Sequence, residues 1–326
     1  MTTILLTGAA GFIAYKVADL LLKGGHTVYG VDNLNDAYDV RLKEYRLNLL
    51  RKQSNFHFEQ IDISEPENLE KLNKFIPDKV DGLINLAARA GVRTSLSDPW
   101  VYLATNTTGT LNMLELCRSR GIPKFILAST SSLYAERSEP PFKETYDTDH
   151  PLQPYAATKK GAEALTYAYH HLYDLDVTVL RYFTVYGPAG RPDMVMFRFC
   201  QWIAEDKPVI VNGDGEQSRG FTYLDDIARG TILALKPLGH EIINLGGHEV
   251  ITINHLIRML EERLGKKAHV TYEPFHAADV FTNQADVQKA KALLGWDPKI
   301  SLKEGVDRLV AWYMQERDWA KKIETP

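Results

Sequence analysis

A short apolar strand that runs straight into closely spaced glycines is the feature that most limits what this chain can become. Thr3 to Thr7 is rich in apolar and β-branched residues, and it is followed by Gly8-Ala9-Ala10-Gly11-Phe12-Ile13-Ala14, which opens an amphipathic helix. Strand, glycine turn and helix N-terminus together let a backbone approach a pyrophosphate, with N–H donors and the helix dipole facing it. The spacing is GxxGxxA, and a glycine cluster also serves a tight turn for steric reasons alone. Asp32 ends the second strand candidate, 21 residues beyond Gly11. An acidic group there accepts hydrogen bonds from an adenosine ribose, and its charge favours NAD over a 2′-phosphorylated dinucleotide. Asp32 also reads as an ordinary residue of a strand-end turn. Asp62 and Ile63 end the third strand, placed to touch an adenine.

The first half alternates strand candidates at 3–7, 27–32, 56–62, 82–87, 124–129 and 177–182 with helix candidates at 12–22, 40–53, 66–75, 102–119 and 155–173. This is the pattern of an α/β chain with a Rossmann-type, doubly wound parallel sheet. Past Tyr182 the alternation weakens in a Gly/Pro loop, Tyr186 to Pro192, and a smaller mixed α/β substrate-binding lobe is expected. The expected division is 1–183 for cofactor binding, with a return near 214–250 that includes a strand at 241–245, and 184–326 mainly for substrate. The tail from 253 to 321 reads as mainly helical, with one strand at 269–272.

At 326 residues with 44% hydrophobic and 25% charged residues, the chain has ample core material. A net charge of −4 gives no basic field for nucleic acid or an anionic membrane. No apolar run reaches the roughly 18 residues needed to span a bilayer. The two cysteines, Cys117 and Cys200, suggest neither a disulfide framework nor a zinc site, and neither HExxH nor CxxC occurs. We therefore expect a cytoplasmic protein with no metal.

Tyr155 and Lys159 lie four apart in a helical stretch, so both project from one face and a cation can lower the phenol's pKa. A Tyr and a Lys at this spacing arise about once by chance in such a chain, so the pair gains meaning only from its surroundings. The run Ala128-Ser129-Thr130-Ser131-Ser132-Leu133-Tyr134 ends the preceding strand, where ligands of doubly wound sheets bind. Further along the same helix, Tyr167, Tyr169, His170, His171 and Tyr173 read as packing or a subunit interface.

Together these segments resemble the extended short-chain dehydrogenase/reductase family, within it the nucleotide-sugar epimerases, most closely those acting on UDP-glucuronate at C4. The resemblance spans nearly the whole chain. It also rests on Asp32-Asn33-Leu34-Asn35-Asp36, Leu86-Ala87-Ala88-Arg89-Ala90-Gly91-Val92-Arg93, Pro154-Tyr155-Ala156-Ala157-Thr158-Lys159, Tyr182-Phe183-Thr184-Val185-Tyr186-Gly187-Pro188, Gly190-Arg191-Pro192-Asp193-Met194 and Phe221-Thr222-Tyr223-Leu224-Asp225-Asp226.

The resemblance implies that Tyr155 is the acid/base, that Lys159 holds the nicotinamide ribose and tunes Tyr155, and that Thr130 orients the reacting sugar oxygen. It implies NAD binding by Gly8, Gly11, Phe12, Ile13, Asp32, Asn33, Asp62, Ile63, Leu86, Ala87 and Ala88, with Tyr155 and Lys159. Ser131, Ser132, Thr184 and Arg191 would surround the C5 substituent, and a planar guanidinium suits a carboxylate there. Arg93, Arg219, Asp286 and Thr282 would meet the rest of a UDP-linked substrate, and a homodimer is expected. Ser131-Ser132 stands where the family's dehydratases carry Asp-Glu, and Ser132 where its decarboxylases carry Glu, which argues against both reactions. Ala14, Asn85, Ala189 and Gly220 depart from the family's usual Gly, His, Trp and Asp. The alternatives are a UDP-glucose/UDP-galactose 4-epimerase or another nucleotide-sugar enzyme of the family, and a non-catalytic NAD-binding protein.

Overall fold

The computed structural model describes residues 1–134, 139–247, 249–275 and 281–326. The first half forms β1 (Thr3–Thr7), α1 (Phe12–Lys23), β2 (Thr27–Asp32), α2 (Val40–Leu50), β3 (Phe56–Gln60), α3 (Asn68–Phe75), β4 (Gly82–Asn85), α4 (Pro99–Tyr102), α5 (Gly109–Arg120), β5 (Lys124–Thr130), α6 (Pro154–Tyr173) and β6 (Asp176–Tyr182). There follow β7 (Thr184–Tyr186), α7 (Val195–Ala204), β8 (Pro208–Asn212), β9 (Ser218–Tyr223), α8 (Leu224–Leu233), β10 (His240–Leu245), β11 (Glu249–Thr252), α9 (Ile253–Leu264), β12 (His269–Glu273), β13 (Thr282–Asn283), α10 (Gln288–Leu294), α11 (Leu302–Gln315) and α12 (Arg317–Ala320).

Seven parallel strands make the main sheet in the order β10-β6-β5-β4-β1-β2-β3. Its strands are apolar on successive residues because both faces are covered. In β1, Ile4 and Leu6 enter a core shared with α1, α8 and α10, whereas Leu5 enters the opposite core with α3, α5 and α6. The chain reverses direction across the sheet between β1 and β4, which opens a crevice at their carboxyl ends.

The helix expected over 102–119 is divided: a π-helical stretch, Leu103–Thr108, separates α4 from α5. Buried Asn106 sits in that wider turn, bonded to both the N–H and the C=O of Arg89 (2.9 and 3.0 Å) and to Thr158 Oγ1 (3.1 Å). It thereby fastens the loop leaving β4 to α6. Strand β3 ends at Gln60, two residues before the expected limit.

In the second lobe, β9 pairs antiparallel with β11 and parallel with β7 and β13, and β8 pairs with β12. Helices α7, α9 and α11 pack on these strands around Phe197, Phe221, Leu256 and Tyr313. No helix among the described residues is long and apolar enough to cross a membrane.

Candidate active site

A cavity of about 750 Å³ lies over the carboxyl ends of the main sheet and is closed by the second lobe. Gly8, Gly11, Phe12, Ile13, Asp32, Asn33, Asp62, Ile63, Leu86, Ala87 and Ala88 line one end of it. Gly8 has φ +69°, and a Cβ there would lie 2.8 Å from the backbone nitrogen of Ala87. The turn itself therefore demands glycine. Asp32 is buried in the cavity wall, accepting from Ala10 N (3.2 Å) and Leu34 N (2.8 Å). Asn33 Nδ2 donates to Asp62 (2.7 Å). Burial pushes the Asp62 carboxyl up, but hydrogen bonds from Ser64 and Asn33 more than offset this and hold it below the usual carboxylate range. A helix N-terminus, an elongated cleft and an acidic side chain at the end of β2 fit a dinucleotide such as NAD.

Thr130, Ser131, Ser132, Tyr155, Lys159, Thr184, Arg191, Arg219 and Arg93 line the other end. Pro154 opens α6, which projects Tyr155 from its first turn. The Tyr155 hydroxyl lies beside Thr130, the last residue of β5, whose side chain favours the phenolate. Thr130 Oγ1 also accepts from Ser132 N (3.1 Å), fixing the turn that carries the serines. Lys159 is buried and donates to Ala128 O at 2.8 Å.

Burial pushes Tyr155 above its ordinary value, partly opposed by the Thr130 side chain and by the Arg191 guanidinium. Lys159 itself is brought down to about 8 by burial, with Glu163 opposing the fall. Arg191 comes from the loop after β7 and makes a two-pronged ion pair with Asp193 (Nε to Oδ1 3.0 Å, Nη2 to Oδ2 2.5 Å). Arg219 Nη1 donates to Ser218 O (2.7 Å) and Phe281 O (3.1 Å). Asp286 stands away from the cavity lining, accepting from Gln288 N (2.9 Å) at the start of α10. Thr282 likewise pairs with Ser218 Oγ (3.2 Å) and does not line the cavity.

The pattern of the NAD dependent epimerase/dehydratase family matches residues 4–246. A protein from Thermodesulfobacterium geofontis named UDP-glucuronate 4-epimerase is 58% identical over 321 residues, covering 98% of each chain. The chain belongs to the NAD-dependent epimerase/dehydratase family. Among solved structures, the UDP-glucuronic acid 4-epimerase of Bacillus cereus in complex with UDP-glucuronic acid and NAD superposes with a TM-score of 0.89 at 37% identity, covering 96% of this chain and 99% of that one. The UDP-glucose 4-epimerase of Thermotoga maritima with UDP-glucose gives a TM-score of 0.87 at 33% identity, covering 97% and 99%.

One of the family departures has a structural reason in this member. A Cβ on Gly220 would lie 2.4 Å from Gly247 O, so no aspartate fits there. Ala189 is buried at φ +53°, with its carbonyl taken by Arg46 (Nη2 2.7 Å). Sequence reasoning missed Asn283, Gln217, Asp193 and Lys43, all in the cavity wall. Asn283 Nδ2 donates to Ser131 Oγ (3.1 Å) while its Oδ1, like Gln217 Oε1, is buried with no hydrogen-bond partner. Such orphaned acceptors mark where a ligand's donors can go. β13, which carries Asn283, reaches the site only by pairing with β9, and no local pattern announces it.

Proposed function

We propose that this family member interconverts UDP-glucuronate and UDP-galacturonate by oxidising and re-reducing the sugar's C4. One observation carries the reading: the hydroxyl of Tyr155, its Thr130 partner and the charge of Arg191 converge in one cleft. The 58% identical relative bearing the UDP-glucuronate 4-epimerase name, and the similar structure holding UDP-glucuronic acid and NAD, support the same substrate and cofactor.

NAD, when bound, supplies a hydride acceptor and a positive ring. Tyr155 takes the C4 hydroxyl proton as hydride leaves C4 and returns it when hydride re-enters the other face. Thr130 orients the sugar oxygen, and Lys159 is placed for the cofactor's ribose. Ser131, Ser132, Thr184 and Arg191 surround the C5 carboxylate, with Arg219 and Arg93 toward the nucleotide diphosphate. The 4-keto uronate is a β-keto acid, so these groups must hold its carboxylate out of alignment with the carbonyl π system. The glycine loop, Asp32, Asn33, Asp62, Ile63 and residues 86–88 hold the dinucleotide. We assign 1–183 with the return near 214–250 to the cofactor lobe and the remainder of 184–326 mainly to the substrate lobe. A homodimer is supported by exposed apolar side chains on neighbouring helical surface, Trp100, Leu103, Tyr167 and Leu172. Buried, free Cys117 and Cys200 accord with the reducing cytoplasm.

A second reading, exchange of UDP-glucose and UDP-galactose, is favoured by one contact: Asp193 already satisfies the Arg191 fork that a uronate would use. Purified protein incubated with each of the four UDP-sugars, with product stereochemistry at C4 read by proton NMR, decides between them. Turnover confined to the uronates upholds the first reading; turnover confined to the neutral pair replaces it, and none with any sugar overturns both.

A further inference from the structure

We propose that Lys43 is a cofactor-binding residue and that the Asp32–Lys43 pair, rather than Asp32 alone, decides which dinucleotide the cleft accepts. This rests on the dinucleotide reading of the cleft. Lys43 lies on the inward face of α2, with Leu42, Arg46 and Leu47, and is only 5% exposed. Lys43 lines the cavity together with Asp32 and Asn33, and its Nζ lies 3.7 Å from Asp32 Oδ1, at the end where the acidic residue after β2 meets an adenosine ribose.

The contacts around it are those of a positioned donor. Nζ is 3.0 Å from Asn35 Oδ1, 3.7 Å from Asp32 Oδ1 and 5.4 Å from the centre of the Tyr38 ring. Burying an ammonium is costly unless its donors are used. Here burial pulls Lys43 below the usual lysine range, with Asp32 opposing. Both acceptors already serve the backbone: Asp32 takes Ala10 N and Leu34 N, and Asn35 Oδ1 takes Ala37 N at 3.1 Å. An ammonium has three donors, and among the described residues only Asn35 Oδ1 lies within hydrogen-bond distance of it, so donors are left over for a ribose hydroxyl or a phosphate oxygen.

This changes the account of cofactor choice. Asp32 alone repels a 2′-phosphate, but beside Lys43 the local charge is balanced. Once Asp32's charge is removed, the buried cation remains as a ready phosphate partner. A single substitution at position 32 therefore shifts preference toward NADP, and only because Lys43 is there.

The test uses the full-length protein as wild type, Asp32→Asn, Lys43→Met and the double variant. Each is equilibrated with equimolar NAD and NADP, freed of unbound nucleotide, and its bound dinucleotides are released and quantified. Asp32→Asn should raise the bound NADP-to-NAD ratio by about tenfold or more, the double variant should lose most of that gain, and Lys43→Met should weaken NAD retention several-fold, roughly the effect of losing one charge-assisted hydrogen bond. Equal ratios in Asp32→Asn and the double variant overturn the proposal. Wild-type protein retaining neither dinucleotide overturns the underlying reading of the cleft instead. Thermal unfolding checks each variant, and if Lys43→Met does not fold, Lys43→Gln makes the same comparison without the charge.

Discussion

Lys159 and Glu163 stand one turn apart on the buried face of α6, and the carboxylate is the group that opposes desolvation of the ammonium. Glu163 is in turn held by Ser129 Oγ (2.5 Å) and by two Arg181 nitrogens (2.9 and 2.7 Å). Arg181 passes the network on to Tyr134 and, through its hydroxyl, to Asn244 on β10. Tyr155, Lys159 and Glu163 thus form one stripe at i, i+4 and i+8.

Glu163→Gln should therefore move the alkaline limb of activity to lower pH. Lys159 is cationic below about 8 and neutral above it. Without Glu163 its pKa falls further, both by losing a neighbouring anion and by leaving Arg181's charge unbalanced nearby. Profiles of kcat against pH check this, whereas a purely structural defect would lower the amplitude and leave the limb in place.

Arg191→Ala should shift the acid limb the other way, to higher pH. The guanidinium lowers Tyr155's pKa, so its removal raises it, and less phenolate is present at neutrality. The same variant should release more decarboxylated sugar relative to epimer, measured by NMR of the products; an unchanged limb and an unchanged product ratio would discard both roles of Arg191.

Tyr155→Phe removes the hydroxyl while leaving the ring against Tyr102, whose centroid is 6.0 Å away. Epimerisation should fall by about a hundredfold to ten-thousandfold, as expected for loss of a general acid/base. Dinucleotide content, read by absorbance after denaturation, should stay at the wild-type level.

How much of this was legible in the sequence follows from what each element depends on. β1 and β2 begin and end where their apolar runs do, because strands buried on both faces carry their signal locally. The π-helical turn before α5 was not legible, since Asn106 takes its partners from Arg89 and Thr158, 17 and 52 residues distant. Tyr155 and Thr130 could be found from motif and position, yet the orientation of Lys159 toward Ala128 and the capture of Arg191 by Asp193 depend on tertiary packing. Asn283 and Lys43 reach the cavity through a two-residue strand and through the rotation of α2, neither of which leaves a periodic trace.

Arg46 provides the sharpest stability test, because it joins the two halves of the site. It is fully buried and donates through Nη1 to Ala10 O (3.0 Å) and to the Tyr38 hydroxyl (2.7 Å), and through Nε and Nη2 to Ala189 O (3.0 and 2.7 Å). One guanidinium therefore spans from the glycine loop of the first lobe to the Gly/Pro loop that carries Arg191. Arg46→Met keeps the apolar stem but leaves the buried carbonyls of Ala10, Ala189 and Gly190 short of donors. Each unsatisfied group costs about 1–3 kcal/mol, so unfolding free energy should drop by about 3–9 kcal/mol, measured by urea denaturation. Because Ala189 lies two residues before Arg191, KM for the UDP-sugar should also rise more than kcat falls. A variant with the wild-type midpoint and KM would mean that water replaces the guanidinium at all three carbonyls, and that the two loops hold their spacing without it.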